Sequence, residues 1–568
     1  MKSESSLTTG QLASLAAPLL ALCWLLPNHH MPWPDFYSDA WAACVMLMLA
    51  ALLLWRTRQV QSYAWHTLPL IVLLCILIVW LQYATGLIST FGIAWTGSLY
   101  LGGFLLALMI GTICEQHHPK ICADFLFLAT LIGALFSLAI QIQQWLQINP
   151  GQFFWLFIPA PPSRFAANLG QPNQLASLLC LGVLSCAWLH QRGRLPGLAA
   201  WILAALLAAG IALTESRTSW MVVAMVWTGL LFWCKRLSIP RQLMLATLGW
   251  TGVFIFFIAT LPYANQWIKG AQLQAVRTIS SDELRFEMWS FLWKAIQQHP
   301  WTGYGWMQTS YAQFTANPYK ILSDGTMRHA HNLILDLITW VGIPLGLMIC
   351  VLLLFFIVQT VRRIQHIEHL WMMFFAAALG IHALLEFPLY YAYFLLPFGI
   401  MVGALTVSLQ INPIMVSRTL PVVTLWIFIS AGLILTVRDY LVIEDDFFAL
   451  RFERQHLEPA RESNAPDVLV LTHLQDVLWL ARVDPSQAHT EKDLARALHT
   501  TKLLPSIVSI YKLATMYAFA AKTEQAEYWI IILTRLNRPS QKMVEELRHQ
   551  WKTQAHHHSQ MSKVIWPD

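Results

Sequence analysis

The chain has 568 residues, 57% hydrophobic and only 12% charged, with 27 Trp, a mean hydropathy of +0.52 and a formal net charge of +6. Soluble domains carry about 25% charged residues. The composition therefore excludes a chain that is soluble throughout and points to a polytopic membrane protein with polar mass attached. Nothing in it suggests a nucleic-acid partner.

Apolar stretches predict thirteen membrane-crossing helices, at 11–27, 40–55, 66–82, 97–114, 121–146, 172–190, 196–214, 218–234, 243–262, 332–360, 370–387, 390–409 and 419–437. Crossing the hydrocarbon core as helix takes about 20 residues, so the expected fold class is all-α. The opening "MKSESSLTTG" has one Lys, and no small-residue cleavage site follows before Pro27, so the first stretch reads as a span rather than a signal peptide. The nine cysteines lie in or beside apolar spans without a CxxC pair, which reads as packing rather than a disulfide framework.

Charge orients the spans. With the N-terminus in the cytoplasm, the short cytoplasmic segments hold eleven basic residues: Arg56, Arg58, Lys120, Arg192, Arg194, Lys235, Arg236, Arg241, Arg362, Arg363 and Arg418. The short loops opposite hold only Arg164 and Arg217. That is the bias of the positive-inside rule. An odd number of spans then places a long loop, 263–331, and the region 438–568 outside. The chain divides accordingly into a membrane domain, 1–437, and a C-terminal helical domain, 438–568. In the latter, "LATMYAFAAKTEQAEYW" has the small–aromatic–small rhythm of one tetratricopeptide-type hairpin. The tail "QAHHHSQMSKVIWPD" reads as a frayed polar end.

Four outer segments carry chemistry. "PSRFAANLGQPNQLAS" (162–177) sets Arg164 before four amides, Asn168, Gln171, Asn173 and Gln174. Amides suit sugar hydroxyls or a pyrophosphate oxygen, and they also suit a capped turn around Pro172. "LTESRTSW" (213–220) places Arg217 in a very short turn, where a guanidinium is either paired with Glu215 or functional. In "DELRFEMW" Arg285 rides an amphipathic helix, with Leu284, Met288, Phe291, Leu292 and Trp293 on or near one face. "RHAHNLILDLITWVGIPLG" (328–346) brings His329, His331 and Asn332 to the mouth of a span. Two histidines one residue apart without a nearby carboxylate or Cys at ligand spacing favour proton transfer over metal binding. No metal and no cofactor is therefore expected. "TGYGW" (302–306) lacks either phosphate-loop spacing and reads as a turn. His382 and Glu386, one helical turn apart, read as a structural hydrogen bond or a metal pair.

Several arginines suit a diphosphate, and one imidazole suits an attacking hydroxyl. At these residues the chain resembles the PglL-type protein O-oligosaccharyltransferases, of the superfamily shared with WaaL O-antigen ligases and Wzy polymerases. "RFAANLGQPNQLAS", "ESRTSW", "GYGW" and "HAHNLILDLITWVGIPLG" carry the likeness, with "NHHMPWPDFYSDAW" and "LLEFPLYYAYFLLPFGI" beside them, over roughly residues 10–437. The resemblance implies a glycosyltransferase of the bacterial inner membrane. It would move a glycan from undecaprenyl diphosphate to Ser or Thr of pilin or other periplasmic proteins, with the loop and C-terminal domain in the periplasm. His331, Arg217 and Arg285 would be its catalytic residues. Arg164, Asn168, Gln171, Asn173, Gln174, Asn332 and His329 would meet substrate. An O-antigen ligase or polymerase is the alternative within this chemistry, and a lipid-linked sugar transporter the alternative outside it.

Overall fold

The computed structural model describes residues 9–58, 62–148, 156–157, 164–269, 280–317, 328–457, 459, 461, 465–535 and 541–567. Helices dominate. They are α1 (Thr9–Ala21), α2 (Phe36–Arg56), α3 (Thr67–Ala84), α4 (Phe91–His117), α5 (Ile121–Trp145), α6 (Pro172–Gln191), α7 (Gly197–Leu213), α8 (Arg217–Trp233), α9 (Arg241–Lys269), α10 (Ser280–Gln298) and α11 (Thr309–Ala316). They continue with α12 (Leu333–Arg362), α13 (Ile367–Leu385), α14 (Ala392–Ser408), α15 (Leu420–Arg454), α16 (Thr472–Arg482), α17 (Glu491–Leu503), α18 (Ile507–Phe519), α19 (Thr523–Thr534), α20 (Gln541–His557) and α21 (Ser559–Ser562). One two-stranded antiparallel ribbon, β1 (Ser62–Trp65) on β2 (Met415–Arg418), departs from the all-α expectation.

Among the described residues, nine helices are long and apolar enough to cross a membrane: α2, α3, α4, α5, α6, α9, α12, α13 and α15. The other four stretches expected to cross fold as α1, of 13 residues, and α7, α8 and α14, of 17 each. At 1.5 Å per residue these are about 20–26 Å long, with 17 residues at the lower end of the range that crosses a bilayer. Two of them end against protein donors or acceptors. Asp39 accepts from the Ala392 N–H at the start of α14 (2.6 Å), and Arg164 donates to the Thr214 carbonyl after α7 (3.1 Å). A helix end satisfied inside the protein has no need to reach water.

The contacts divide the chain into two units. The first comprises Met1–Leu74, Tyr100–Thr278 and Val351–Leu433. Its centre is α6, packed on α5, α7, α8 and α13. Trp188 of α6 stacks on Phe127 of α5 with centroids 4.9 Å apart, and Phe375 meets Phe127 edge-on at 5.4 Å. At one end of this core Asp124 is buried, but three donors hold its carboxylate: Trp188 Nε1 (2.8 Å), Arg192 Nε (3.1 Å) and Arg194 Nη2 (2.7 Å). A buried carboxylate is tolerated on those terms.

The second unit comprises Cys75–Leu99, Ile279–Cys350 and Ile434–Asp568. Its C-terminal helices share one apolar core built on small residues. Ala514, Ala518 and Ala526 let α18 and α19 approach as a hairpin around Leu513, Met516, Trp529 and Ile530. The tail is packed rather than frayed. Met561 is fully buried, Val564 joins the core, and Trp566 lies 5.6 Å from Trp551. Apolar Met561, Val564, Ile565 and Trp566 behind the histidines are the signal that a polar reading of this end overlooks. The final long helix also continues past residue 437. Asp446 and Glu453 of α15 bind the buried Arg482 of α16 at 2.5 and 2.8 Å, so the chain remains helical well into the C-terminal region.

Helix α12 is broken, and the sequence says why. Pro344 has no N–H for the Trp340 carbonyl. Gly342 adopts φ 80°, ψ 170°, which turns the Ile343 N–H away from the Thr339 carbonyl. The loop carrying "TGYGW" repairs the break. Tyr304 N donates to Thr339 O (2.9 Å), Gly305 N to Trp340 O (2.9 Å), and Ile343 N donates to Pro300 O (2.7 Å). Gln82 seals the joint, donating to Trp340 O (2.8 Å) and accepting from Trp306 N (2.9 Å). A Cβ on Gly342 would lie 2.5 Å from Trp301 O, and one on Gly303 2.6 Å from Gly342 N. Gly342→Ala is therefore expected to destabilise by at least ~1–2 kcal/mol from backbone conformation alone, seen as a lowered thermal unfolding midpoint of the purified protein; an unchanged midpoint would contradict this account.

Candidate functional site

In the first unit the amide segment is built inward. Gln171 caps α6, its side chain accepting from the Gln174 N–H (2.9 Å), with Pro172 at the first helical position. Asn168 is buried, donates to Leu25 O (2.7 Å) and accepts from Phe157 N (3.0 Å). Buried Asn173 donates to Glu386 Oε1 (3.0 Å) and accepts from Ser216 Oγ (2.8 Å). Buried Gln174 accepts from the Tyr393 hydroxyl at 2.6 Å. Asp39 closes the network, accepting from Tyr100 at 2.5 Å and from the backbone of Ala392. The amides thus meet protein partners, as buried polar groups must. The Glu386 N–H donates to the His382 carbonyl (2.8 Å), the His382 ring bonds Ser177 Oγ (2.7 Å), and the Glu386 carboxylate accepts from Asn173.

What this network fixes is the turn before α8. Ser216, the residue before the helix, is held by Asn173, and Glu215 is left-handed with φ 51°. Arg164 binds the carbonyls of Thr214 (3.1 Å) and Glu215 (3.3 Å). Arg217 then opens α8 and is exposed. A cation at a helix N-terminus opposes the macrodipole.

In the second unit the "RHAHN" segment is a held turn. His331 is half-buried and left-handed, with φ 53°. For a non-glycine residue that costs of order 1–3 kcal/mol. Both flanks are pinned. The Ala330 N–H donates to Asp336 Oδ1 (2.9 Å), and its carbonyl accepts from Trp289 Nε1 of α10 (2.8 Å). Asn332 caps α12, accepting from the Leu335 N–H at 3.1 Å. Asp336 is buried and also accepts from Thr309 Oγ1 (2.7 Å), which in turn accepts from Trp340 Nε1 (2.8 Å). The loop helix α11 continues into the C-terminal core, where Phe314 stacks on Trp529 at 5.5 Å.

His329 is half-buried beside this turn. Burial, then the charges of His331 and Arg328, hold its imidazole well below the ordinary histidine range and keep it neutral. Arg285 lies on α10, and its side chain lies outside the described residues. Among the described residues no three His, Cys, Asp or Glu side chains gather as metal ligands would. Spacing alone did not reveal Asp336, Trp289, Thr309 and Tyr393. The available signal was Asp336 itself, a carboxylate in an apolar run.

Two family matches fall on these segments. Residues 202–350, which include Arg217, Arg285, His329, His331 and Asn332, match the family described as O-antigen ligase. Residues 370–533 match the C-terminal region of virulence factor membrane-bound polymerase. Over these two segments the chain is similar to the O-antigen ligase and membrane-bound polymerase families. It is 28% identical over 549 residues, 92% of each chain, to the general O-oligosaccharyltransferase of Acinetobacter baylyi. It is 26% identical over 392 residues, 68% of this chain and 69% of the relative, to the ComP-specific O-oligosaccharyltransferase of the same organism.

Two outcomes are expected. Asp336→Ala leaves the Ala330 N–H without its acceptor, costing about 1–3 kcal/mol and loosening the turn; protease susceptibility near residue 330 rises, whereas unchanged cleavage would count against the pin. His329 binds fewer protons folded than unfolded. The unfolded chain therefore gains protons as pH falls below about 6.5, and stability declines toward the lower folded value. Thermal melts across that window fall with pH, and His329→Gln flattens the slope.

Proposed function

We propose that the protein is a glycosyltransferase that moves a preassembled glycan from undecaprenyl diphosphate to Ser or Thr hydroxyls of pilin or other proteins outside a bacterial inner membrane. The observation that carries this reading is the turn at His331, a strained residue that the fold secures from both sides. The names of the two relatives, each an O-oligosaccharyltransferase across most of the chain, support it.

His331 takes the proton of the attacking hydroxyl as its oxygen bonds to the anomeric carbon. The bond from that carbon to the diphosphate oxygen breaks, and the sugar inverts. Arg217 and Arg285 neutralise the departing diphosphate, which guanidiniums do through paired N–H bonds. Arg164 and Asn173 hold the turn that carries Arg217, and Asn168, Gln171 and Gln174 line the same segment toward substrate. Asn332 sets the start of α12 beneath His331, and His329 supplies a neutral neighbour. No step requires a metal ion.

The names of the family matches favour one further reading, ligation to lipid A-core or polymerisation of O-units. Purified enzyme given lipid-linked glycan with pilin in one assay and lipid A-core in another separates the two. In the pilin assay His331→Ala, Arg217→Ala and Arg285→Ala are each expected to lower turnover by about 10²–10⁴ without changing the melting temperature. Full turnover in both the His331 and Arg285 variants would end this reading.

A further inference from the structure

The break in α12 marks a level as well as a joint. From Ile343 to Arg362 the helix runs 20 residues, about 30 Å at 1.5 Å per residue, which matches the hydrocarbon core on its own. Leu345, Leu347 and Met348, just past the break, are exposed apolar side chains, as lipid-facing residues are. The nine residues Leu333–Val341 carry buried Asp336 and extend beyond that length. Counted back from Arg362, a hydrocarbon-length run of helix ends at Gly342.

The loop meets α12 at that same residue. Pro300 O accepts the Ile343 N–H at 2.7 Å, and the Trp301 carbonyl abuts Gly342. Yet the Trp301 side chain is 77% exposed. In α10, which leads to it, Phe286 and Trp293 are 68% and 49% exposed. Seven residues apart, they share one stripe, turned away from the buried Met288, Leu292 and Ala295. Trp293 therefore does not join the buried face on which its spacing first placed it. Ser290, Lys294 and Gln297 are exposed along the same side. Aromatic rings mixed with Lys and Gln are the composition of a surface lying at the headgroup level, where an amphipathic ring has both an apolar and a wet neighbour.

We propose that Trp301, with Trp293 and Phe286 of α10, seats this loop on the bilayer surface, the rings entering the boundary between headgroups and acyl chains. The occupant of this aromatic edge is phospholipid. Seating at Gly342 raises His331 up to about 14 Å above the hydrocarbon edge, nine residues at 1.5 Å each. Under the transfer reading, that is the height of a sugar attached to a membrane-borne diphosphate rather than of the lipid itself. The seating does not depend on that reading.

The test uses the full chain in nanodiscs of phosphatidylethanolamine and phosphatidylglycerol. Benzoylphenylalanine replaces Trp301, Trp293 or, as a control, Tyr528, an exposed aromatic of the C-terminal helices. After irradiation, mass spectrometry of the labelled peptides is expected to show phospholipid adducts at 301 and 293, several-fold above position 528. Absence of adducts at both sites, equal labelling at 528, or crosslinks to a second copy of the chain in place of lipid would overturn the proposal. Should the label at 301 prevent folding, position 293 carries the same decision. Because the readout is an adduct and not turnover, a failed transfer assay leaves it intact.

Discussion

Backbone polar groups at membrane depth must find partners within the protein, because hydrocarbon offers none. The broken helix α12 is where this chain meets that constraint. Pro344 and Gly342 remove two intrahelical donors from the carbonyls of Thr339 and Trp340, and the fold answers with the N–H groups of Tyr304 and Gly305. The loop is thereby locked to the helix by ordinary backbone bonds. Thr309, two residues past Met307, then reaches Asp336, and Asp336 reaches Ala330. The left-handed histidine is held at the end of that series.

The first unit solves a similar problem with side chains. The end of α7, the start of α8 and the start of α14 meet a buried network of amides, tyrosines and carboxylates. Leaving any one of those groups unsatisfied costs roughly 1–3 kcal/mol, so the network is fixed as a whole. That fixed network holds the turn from which the exposed Arg217 opens α8.

Much of this was legible in the sequence. Apolar length located the helices, and the Pro172 segment showed its own cap. The "RHAHN" sequence before an apolar run marked a place where polar residues had a purpose. Less legible was whom each polar group would meet. Asn173 and Gln174 look the same in sequence whether they face a sugar or Glu386 and Tyr393, because a local pattern carries no information about partners some 200 residues away. "GYGW" read as a turn, which it is. That it repairs "VGIPLG" depends on a long-range pairing of two glycines, and only their conformations reveal it. Hydropathy counts apolar residues, whereas the length of a helix is also set by what caps its ends.

The packed tail has a consequence for biosynthesis. Met561 and Val564 complete the core that α16 to α19 share, and Trp566 lies against Trp551 of α20. A chain emerging in order from its ribosome would expose the apolar faces of those earlier helices until residues 561–566 had been made. Over that interval the shared interior of α16 to α19 lacks the side chains that close it.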